Sequence, residues 1–237
     1  STQAKTLFPY TTLFRSVEPG QIVGFLGENG AGKTTTLRLL IGLLRPTGGA
    51  ARICGHDCSR DPERVRAVAG FAADEPFLYD FLTPLEHARF LSELRGLDAA
   101  EALGRARELL DFLGFPAQML DAPTVQLSLG NKKKVVLALA LCPKPQVLLL
   151  DEPTNALDPE VARRFRLLLD RFAREGGAVL LSTHLLDMAE RLCHRVLVVQ
   201  RGRKVAMGTV ADLRQGCGLP AEATLEDLFF SLTGTGG

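Results

Sequence analysis

The sequence predicts an α/β fold: a mostly parallel β-sheet with an inserted helical subdomain and an antiparallel β portion. Apolar, strand-like runs alternate with segments of helical apolar spacing, the order typical of a parallel sheet covered by helices. A glycine-rich loop of the pattern G-x-x-x-x-G-K-T also lies between a strand-like run, Ile22–Leu26, and a helix-like run, 35–44. With 237 residues, of which 46% are hydrophobic, the chain can bury the core of one such domain.

The other elements follow from periodicity and stop signals. A helical insertion is expected at about 75–142, because two segments there have helical apolar spacing and are followed by Gly96 and Gly114. A hairpin is expected to turn at Arg201 and Gly202. In chain order the further expected elements are β segments at 51–54 and 68–73, helices at 84–94 and 99–113, a helix that follows Ser128 and has its apolar run at 135–141, a strand at 147–150, a helix at 160–174, a strand at 178–182, a helix at 185–192, the hairpin strands 196–200 and 204–207, and a helix at 224–234.

The loop at 27–34 has the composition of a phosphate-binding site. Gly27, Gly30 and Gly32 lack side chains, so the backbone can turn its N–H groups onto phosphate oxygens. The following helix directs its positive end at the same oxygens, Lys33 adds a full charge, and the Thr34 hydroxyl can bind magnesium. An ordinary glycine-rich turn is the alternative.

A second motif, VLLLDEP at 147–153, supplies acidic groups. Its apolar residues predict a buried parallel strand that ends at Asp151, where a carboxylate can hold magnesium opposite Thr34. Glu152 follows and is the candidate general base that orients or deprotonates the attacking water. The alternative, a pair of helix-capping acids before Pro153, leaves the apolar strand unexplained.

A third motif, LSLGN at 127–131, lies between the first two along the chain. With it, the chain from Val17 to about Thr233 resembles the ATP-binding cassette (ABC) family, the nucleotide-binding subunits of ABC transporters. The resemblance implies a P-loop NTPase fold with a RecA-like parallel sheet. It also implies that Ser128 and Gly130 cap a helix and contact ATP bound by the opposite subunit of a head-to-tail dimer. Leu129 and Asn131 depart from the glycine and glutamine usual in that family.

The resemblance assigns three further residues. Asp158 ends NALD, which resembles the family's D-loop at the dimer interface, and His184 follows a strand as the family's switch histidine does. Asp74 occupies the position where the family usually has a magnesium-contacting glutamine, with Glu75 as the alternative register. An acid can still bind magnesium, but it cannot donate a hydrogen bond as an amide does.

ATP and Mg²⁺ are therefore the expected ligands. Glu152, His184 and Lys33 are the expected catalytic side chains, and Thr34, Asp151 and Asp74 are the expected metal ligands. The expected nucleotide-binding residues are Gly27, Glu28, Asn29, Gly30, Ala31, Gly32, Lys33, Thr34, Thr35, Ser128, Gly130 and Asp158.

Charge and cysteine content restrict the remaining function classes. The formal net charge of +1 gives no support to a nucleic-acid partner, and the lysine run 132–134 is interpreted as a solvated face without a role. An odd number of cysteines, 5, favours reduced thiols in the cytosol over disulfides. Cys54 and Cys58 flank His56 without a second ligand pair, which disfavours a metal site.

The beginning of the chain differs from the rest. Residues 6–16, TLFPYTTLFRS, look like the in-frame translation of a widely used short-read sequencing adapter, with a genuine β-strand as the alternative. We therefore treat 1–16 as non-native and 17–237 as a single ABC ATPase domain. Under this interpretation the native first strand and the adenine-stacking aromatic residue are missing.

The resemblance implies an ATPase at the cytoplasmic face of the cell membrane. It would drive export through a separate transmembrane permease and pair with a second cassette, identical or paralogous. No apolar run approaches the length of a membrane span, and the tail at 224–234 resembles the ending of bacterial ABC-2 export ATPases. The alternatives are a soluble, non-transport ABC ATPase and a degenerate nucleotide-binding regulator.

Overall fold

A computed structural model describes residues 16–234 of the chain. The adapter-like segment lies outside the described residues apart from Ser16. In chain order the helices and strands are β1 (Ile22–Leu26), α1 (Lys33–Leu40), β2 (Arg52–Ile53), β3 (His56–Asp57), α2 (Pro62–Val68), β4 (Ala69–Ala72), α3 (Pro84–Arg95), α4 (Ala99–Phe112), α5 (Leu129–Leu141), β5 (Val147–Asp151), α6 (Pro159–Arg174), β6 (Ala178–Thr183), α7 (Leu186–Leu192), β7 (Arg195–Gln200), β8 (Arg203–Gly208), α8 (Val210–Gly216) and α9 (Leu225–Thr233).

The main sheet has six strands in the order β4-β5-β6-β1-β7-β8. Its first five strands are parallel and β8 pairs antiparallel with β7, while β2 and β3 form a small antiparallel hairpin. The parallel strands are apolar along their length because both faces of the sheet are buried: neighbouring residues such as Leu148 and Leu149 enter different core clusters. The α/β class and the antiparallel portion are confirmed.

Helices α3, α4 and α5 lie between β4 and β5 in the chain. Thr83 begins α3 with a capping box, in which its hydroxyl accepts from Glu86 N and the Glu86 carboxylate accepts from Thr83 N. Gly96 ends the helix at φ 63°, as its position predicted. These helices pack on one another through small apolar clusters that include Ala88, Ala106 and Leu110.

Several elements differ from expectation, and the single β segment expected at 51–54 is part of the hairpin of β2 and β3. The first helix ends at Leu40 rather than at 44, and Gly42 turns the chain at φ 72° where its backbone passes Pro62. Helices α2 and α8 were not predicted, because each is only seven residues long and shows little periodicity. The expected tail helix, in contrast, is present as α9, and a capping box between Thr224 and Asp227 begins it.

Among residues 16–234, the structure contains no helix that is long and apolar enough to cross a membrane.

Candidate functional site

The phosphate loop joins β1 to α1 at the carboxyl edge of the sheet. Gly32 stands at φ 101° as the N-cap of α1, a conformation that favours glycine. A Cβ atom on Gly27 would lie 2.6 Å from the Val199 carbonyl oxygen, so this position also requires glycine. Ala31 is buried, whereas Glu28, Asn29 and Gly30 are exposed, and Thr34 and Thr35 lie half-buried in the first turn of the helix.

Lys33 folds its side chain back across the loop. Its Nζ donates to the Gly27 carbonyl at 2.7 Å and to the Glu28 carbonyl at 3.3 Å, and the side chain is buried. The same ammonium lies 3.7 Å from Glu152 Oε1. The structure therefore brings together the lysine and the glutamate that the first two sequence motifs singled out.

Asp151 is buried at the end of β5, and the hydroxyl of Ser182 on β6 donates to its Oδ1. The parallel pairing of Asp151 with Ser182 sets this contact, since both strands end at the same edge. Ser182 was not among the predicted site residues. Its position beside the expected switch histidine on a neighbouring strand was the available signal.

Glu152 is held from several sides. Its backbone N–H donates to the Ser182 carbonyl at 3.1 Å, and its Oε2 lies 3.0 Å from His184 Nδ1 and accepts from His184 N at 3.3 Å. The carboxylate is buried, whereas the His184 side chain is 46% exposed. One carboxylate thus bridges the phosphate-loop lysine and the histidine after β6.

Ser128 caps helix α5, as the sequence predicted, by accepting from Asn131 N at 3.3 Å. Leu129 is 59% exposed at the first position of this helix, so its side chain needs no room within its own subunit. A Cβ atom on Gly130 would lie 2.8 Å from the Ala156 carbonyl oxygen. Gly130 therefore allows α5 to approach the 155–158 segment closely.

Asp158 is the N-cap of α6, where its carboxylate accepts from Val161 N at 2.9 Å. That hydrogen bond lowers the pKa of the Asp158 carboxyl. The residue therefore has a structural role in its own subunit, and its predicted role at a dimer interface stays a prediction.

The interpretation of the lysine run as a solvated face was wrong. Lys133 and Lys134 are buried, and only Lys132, near Asp80, keeps a partly exposed ammonium. Lys134 Nζ donates to the Gly114 carbonyl at 2.9 Å. The physical reason is periodicity, because Lys133 and Lys134 precede the buried Leu137 and Ala138 by four residues and share their helix faces.

Asp74 follows β4 and contacts two side chains, those of Asn155 and Lys133, and neither contact was predicted. Its Oδ1 accepts from Asn155 Nδ2 at 3.1 Å and lies 3.5 Å from Lys133 Nζ. Burial lowers the pKa of the Lys133 ammonium, and the Asp74 carboxylate opposes that shift. The magnesium role of Asp74 stays a prediction.

The residues at the carboxyl edge of the sheet fit a nucleoside triphosphate with magnesium. The close passage of Gly27 past Val199 leaves no space for a side chain, and Lys33 with the N-terminus of α1 provides a positive environment. The Thr34 hydroxyl and the Asp151 carboxylate are oxygen donors of the kind that Mg²⁺ prefers.

Comparisons with known proteins agree with this geometry. The model of the ABC transporter family matches residues 11–155. The chain is 40% identical over 201 residues to the Nod factor export ATP-binding protein I of Paraburkholderia xenovorans, with 83% of this chain and 64% of that protein covered. It is 37% identical to the ABC-type transporter ATP-binding protein EcsA of Bacillus subtilis, with 92% and 87% covered.

A third relative is the daunorubicin/doxorubicin resistance ATP-binding protein DrrA of Streptomyces peucetius, 36% identical, with 86% of this chain and 61% of that protein covered. The chain thus spans less than two thirds of the length of the Nod factor export and DrrA relatives.

Solved structures show the same fold. The ATP-binding subunit of an ABC transporter superposes with a TM-score of 0.90 at 33% identity, covering 98% of this chain and 95% of that one. The dimeric bacterial ABC transporter cassette MJ0796 superposes with a TM-score of 0.78 at 25% identity, covering 86% and 90%. With a family model matched over more than half of its length and a relative covered over 87%, the chain belongs to the ABC transporter family.

Proposed function

We propose that the chain binds ATP with Mg²⁺ and hydrolyses it as the ATPase subunit of an exporter. The observation that carries this proposal is the Glu152 carboxylate, which lies between Lys33 and His184 beside the phosphate loop. The relatives support export, because one is a Nod factor export ATP-binding protein and another is a drug-resistance ATP-binding protein.

Each residue at the site has a role in this mechanism. The loop amides and Lys33 would hold the phosphate oxygens, while Thr34 and Asp151 would hold the metal, with Asp74 as an additional ligand. Mg²⁺ held by these residues would supply positive charge that stabilises the phosphate oxygens during transfer. Glu152 accepts a proton from water as the water oxygen bonds to the γ-phosphorus and the bond to the bridging oxygen breaks, which releases ADP and phosphate. His184 positions the Glu152 carboxylate through the 3.0 Å contact of its Nδ1 with Oε2, and it would contact the γ-phosphate of bound ATP.

A second cassette completes the site in this proposal. The N-terminus of α5 is capped by Ser128 and carries the exposed Leu129, so it presents a positive helix end at the surface. The dimeric structure of MJ0796 supports a cassette pair.

The helical insertion offers a surface for a transmembrane permease. Four aromatic rings, Phe77, Tyr79, Phe81 and Phe90, lie there with Tyr79 5.8–6.0 Å from each of the others. We call them the aromatic patch. Phe77 is 84% exposed and Phe81 is 74% exposed, and exposed apolar clusters of this kind mark protein contacts. A permease at this surface would place the chain at the cytoplasmic face of the membrane.

The first test is Mg²⁺-dependent ATP hydrolysis measured against protein concentration. We expect the rate per subunit to rise with concentration, because two cassettes form the site. Glu152→Gln keeps the size of the side chain but removes the base, so turnover should fall at least about 100-fold while ATP still binds. Glu175→Gln, which changes an exposed glutamate paired with Arg171, is the matched control and should leave turnover unchanged.

Unchanged turnover in Glu152→Gln would exclude this residue as the base. Tight ATP binding without turnover in the wild-type chain would instead support a nucleotide-binding regulator. ATP hydrolysis that no permease stimulates would support a non-transport ABC ATPase.

A further inference from the structure

Lys133 is the most deeply buried cation among the described residues. Its side chain is 1% exposed, and its ammonium donates to the carbonyl oxygens of Asp74 at 2.9 Å, Ala73 at 3.1 Å and Asp151 at 3.4 Å. The Asp74 carboxylate lies 3.5 Å away. One ammonium on α5 therefore joins the end of β5 to the segment that enters the helical insertion.

The Asp74 carboxylate extends this network to the segment after β5. It accepts from Asn155 Nδ2 at 3.1 Å, and the neighbouring Ala156 carbonyl faces Gly130 on α5. Three parts of the chain that are distant in sequence thus meet at Lys133, Asp74 and Asn155, which we call the 74–133–155 network.

A buried ammonium must be satisfied locally, because water does not reach it. Its three donors match three backbone acceptors here, so moving any one of those carbonyls away would leave a donor unpaired. The acceptors include the backbone of Asp151, whose carboxylate is a predicted metal ligand. Lys133 thereby restrains the backbone of Asp151 and leaves the Asp151 carboxylate free to bind the metal. We call this carboxyl end of β5 the metal edge of the sheet.

The two neighbouring lysines do not make the contacts that Lys133 makes. Lys132 lies at the surface near Asp80, and Lys134 binds the Gly114 carbonyl at the far end of α4. The three side chains share one helix and one residue type, yet only Lys133 contacts both Asp74 and Asp151.

We infer that Lys133 is a positioning residue that, through the 74–133–155 network, fixes Asp74, Asn155 and the end of β5 relative to one another. It would link the entry to the helical insertion with the metal edge of the sheet. The kinetic part of this inference depends on the proposed ATPase function, whereas the network itself does not.

The first experiment uses nucleotide-free protein, so that it is independent of turnover. In Lys133→Met, hydrogen exchange of the Asn155 and Leu157 amides, which donate to the Glu152 and Thr154 carbonyls, should become about 10-fold faster. The reason is that the ammonium no longer holds Asp74, whose carboxylate accepts from Asn155. Lys134→Met is the matched control, since it also removes a buried lysine, and exchange of these two amides should stay unchanged in it. Equal exchange in the two variants would overturn the inference.

A thermal double-mutant cycle tests the pairing directly. Lys133→Met should lower the Tm of the wild-type chain by more than it lowers the Tm of Asp74→Asn, because the second background already lacks the carboxylate charge. Additive Tm changes would contradict the pairing. If Lys133→Met does not fold, Lys133→Gln replaces it in both experiments, as it keeps an N–H donor without the charge.

The kinetic consequence is a selective loss of turnover. Lys133→Met should lower kcat for ATP about 10-fold with little change in KM, because Lys133 holds the site rather than the nucleotide. Lys134→Met should keep both constants. An unchanged kcat in Lys133→Met, beside an active wild type, would overturn the kinetic part. An inactive wild type would instead count against the proposed function, while the exchange and Tm results would still decide the network.

Discussion

Glu152 has an unusual backbone conformation for its residue type. Its φ of 44° lies in the left-handed region, which costs a non-glycine residue about 1–3 kcal/mol. The conformation is held by hydrogen bonds from Glu152 N to the Ser182 backbone and hydroxyl. With this backbone conformation the two successive acids contact different partners. Asp151 accepts from the Ser182 hydroxyl, whereas Glu152 contacts His184.

His87, a histidine that lies in none of the predicted motifs, makes two specific contacts. Its Nε2 accepts from Tyr79 N at 2.9 Å, so its proton lies on Nδ1, which donates to the Thr83 carbonyl at 2.9 Å. Burial lowers the pKa of this imidazole from its ordinary value of 6.5, opposed by the Thr83 carbonyl and by Glu86. The ring is thus held in its neutral form beneath the aromatic patch.

This shift predicts a pH dependence of stability. As the pH falls through about 6.5, the unfolded chain binds a proton at His87 before the folded chain does, so stability decreases. We expect the fall in Tm between roughly pH 7.5 and 5.5 to be smaller in His87→Gln than in the wild type. His56→Gln, at a half-exposed histidine in β3, is the control and should retain the wild-type slope. A His87→Gln slope equal to that of the wild type would refute this origin.

At the scale of elements, helix α5 is placed by contacts on several sides. It packs its apolar residues into the main core and against the helical insertion, while its buried lysines reach backbone carbonyls around it. Its N-terminus belongs to the LSLGN motif and is capped by Ser128, and its C-terminal half lies over β4. A shift of this helix would therefore disturb the insertion, the sheet and the candidate site together.

Two glycine substitutions, one at the contact of α5 with β4 and one in open space on α4, should have opposite effects on stability. A Cβ atom on Gly70 would lie 2.1 Å from the Ala140 carbonyl, so Gly70→Ala should destabilise the fold by about 1–3 kcal/mol. Gly104 lies inside α4 with open space around it, so Gly104→Ala should stabilise the fold by about 0.5–1 kcal/mol. Chemical denaturation measures both changes in the free energy of unfolding. A Gly70→Ala variant as stable as the wild type would show that α5 does not pack closely against β4.

At the scale of the whole molecule, the candidate site collects residues from several strand ends. Lys33 follows β1, Asp151 and Glu152 end β5, and His184 follows β6, and these three strands are adjacent in the sheet. Because their carboxyl ends lie at one edge, side chains more than a hundred residues apart become neighbours.

The exposed end of α5 predicts how two cassettes associate. In the Glu152→Gln background, where ATP should remain bound, we expect ATP to produce a dimer that sedimentation detects. Leu129→Arg should abolish this dimer with little effect on Tm, since Leu129 is 59% exposed and stands beside the capped helix end.

The control for this prediction is Leu94→Arg, which places the same charge on an exposed leucine of α3 in the helical insertion. It should leave the ATP-dependent dimer intact. A dimer that survives Leu129→Arg would place the cassette interface elsewhere.

The sequence by itself determined most of the fold and predicted the residues of the candidate nucleotide site. The strands Ile22–Leu26 and Val147–Asp151 are apolar because the sheet buries both of their faces, and the glycines of the 27–34 loop are of the kind that lets backbone approach phosphate. Such features are local, so they can be predicted from the composition and spacing of residues within one segment and its neighbours. Capped helix starts at Thr83 and Ser128 are local in the same sense.

Only the tertiary structure decided which side chains meet. Ser182 with Asp151, Asn155 with Asp74, and the burial of Lys133 depend on strand order and on the docking of α5, which no segment specifies alone. A run of lysines indicates solvent exposure because an isolated ammonium is costly to bury. Lys133 is buried nonetheless because the fold brings three carbonyl oxygens from two distant parts of the chain within reach of its ammonium.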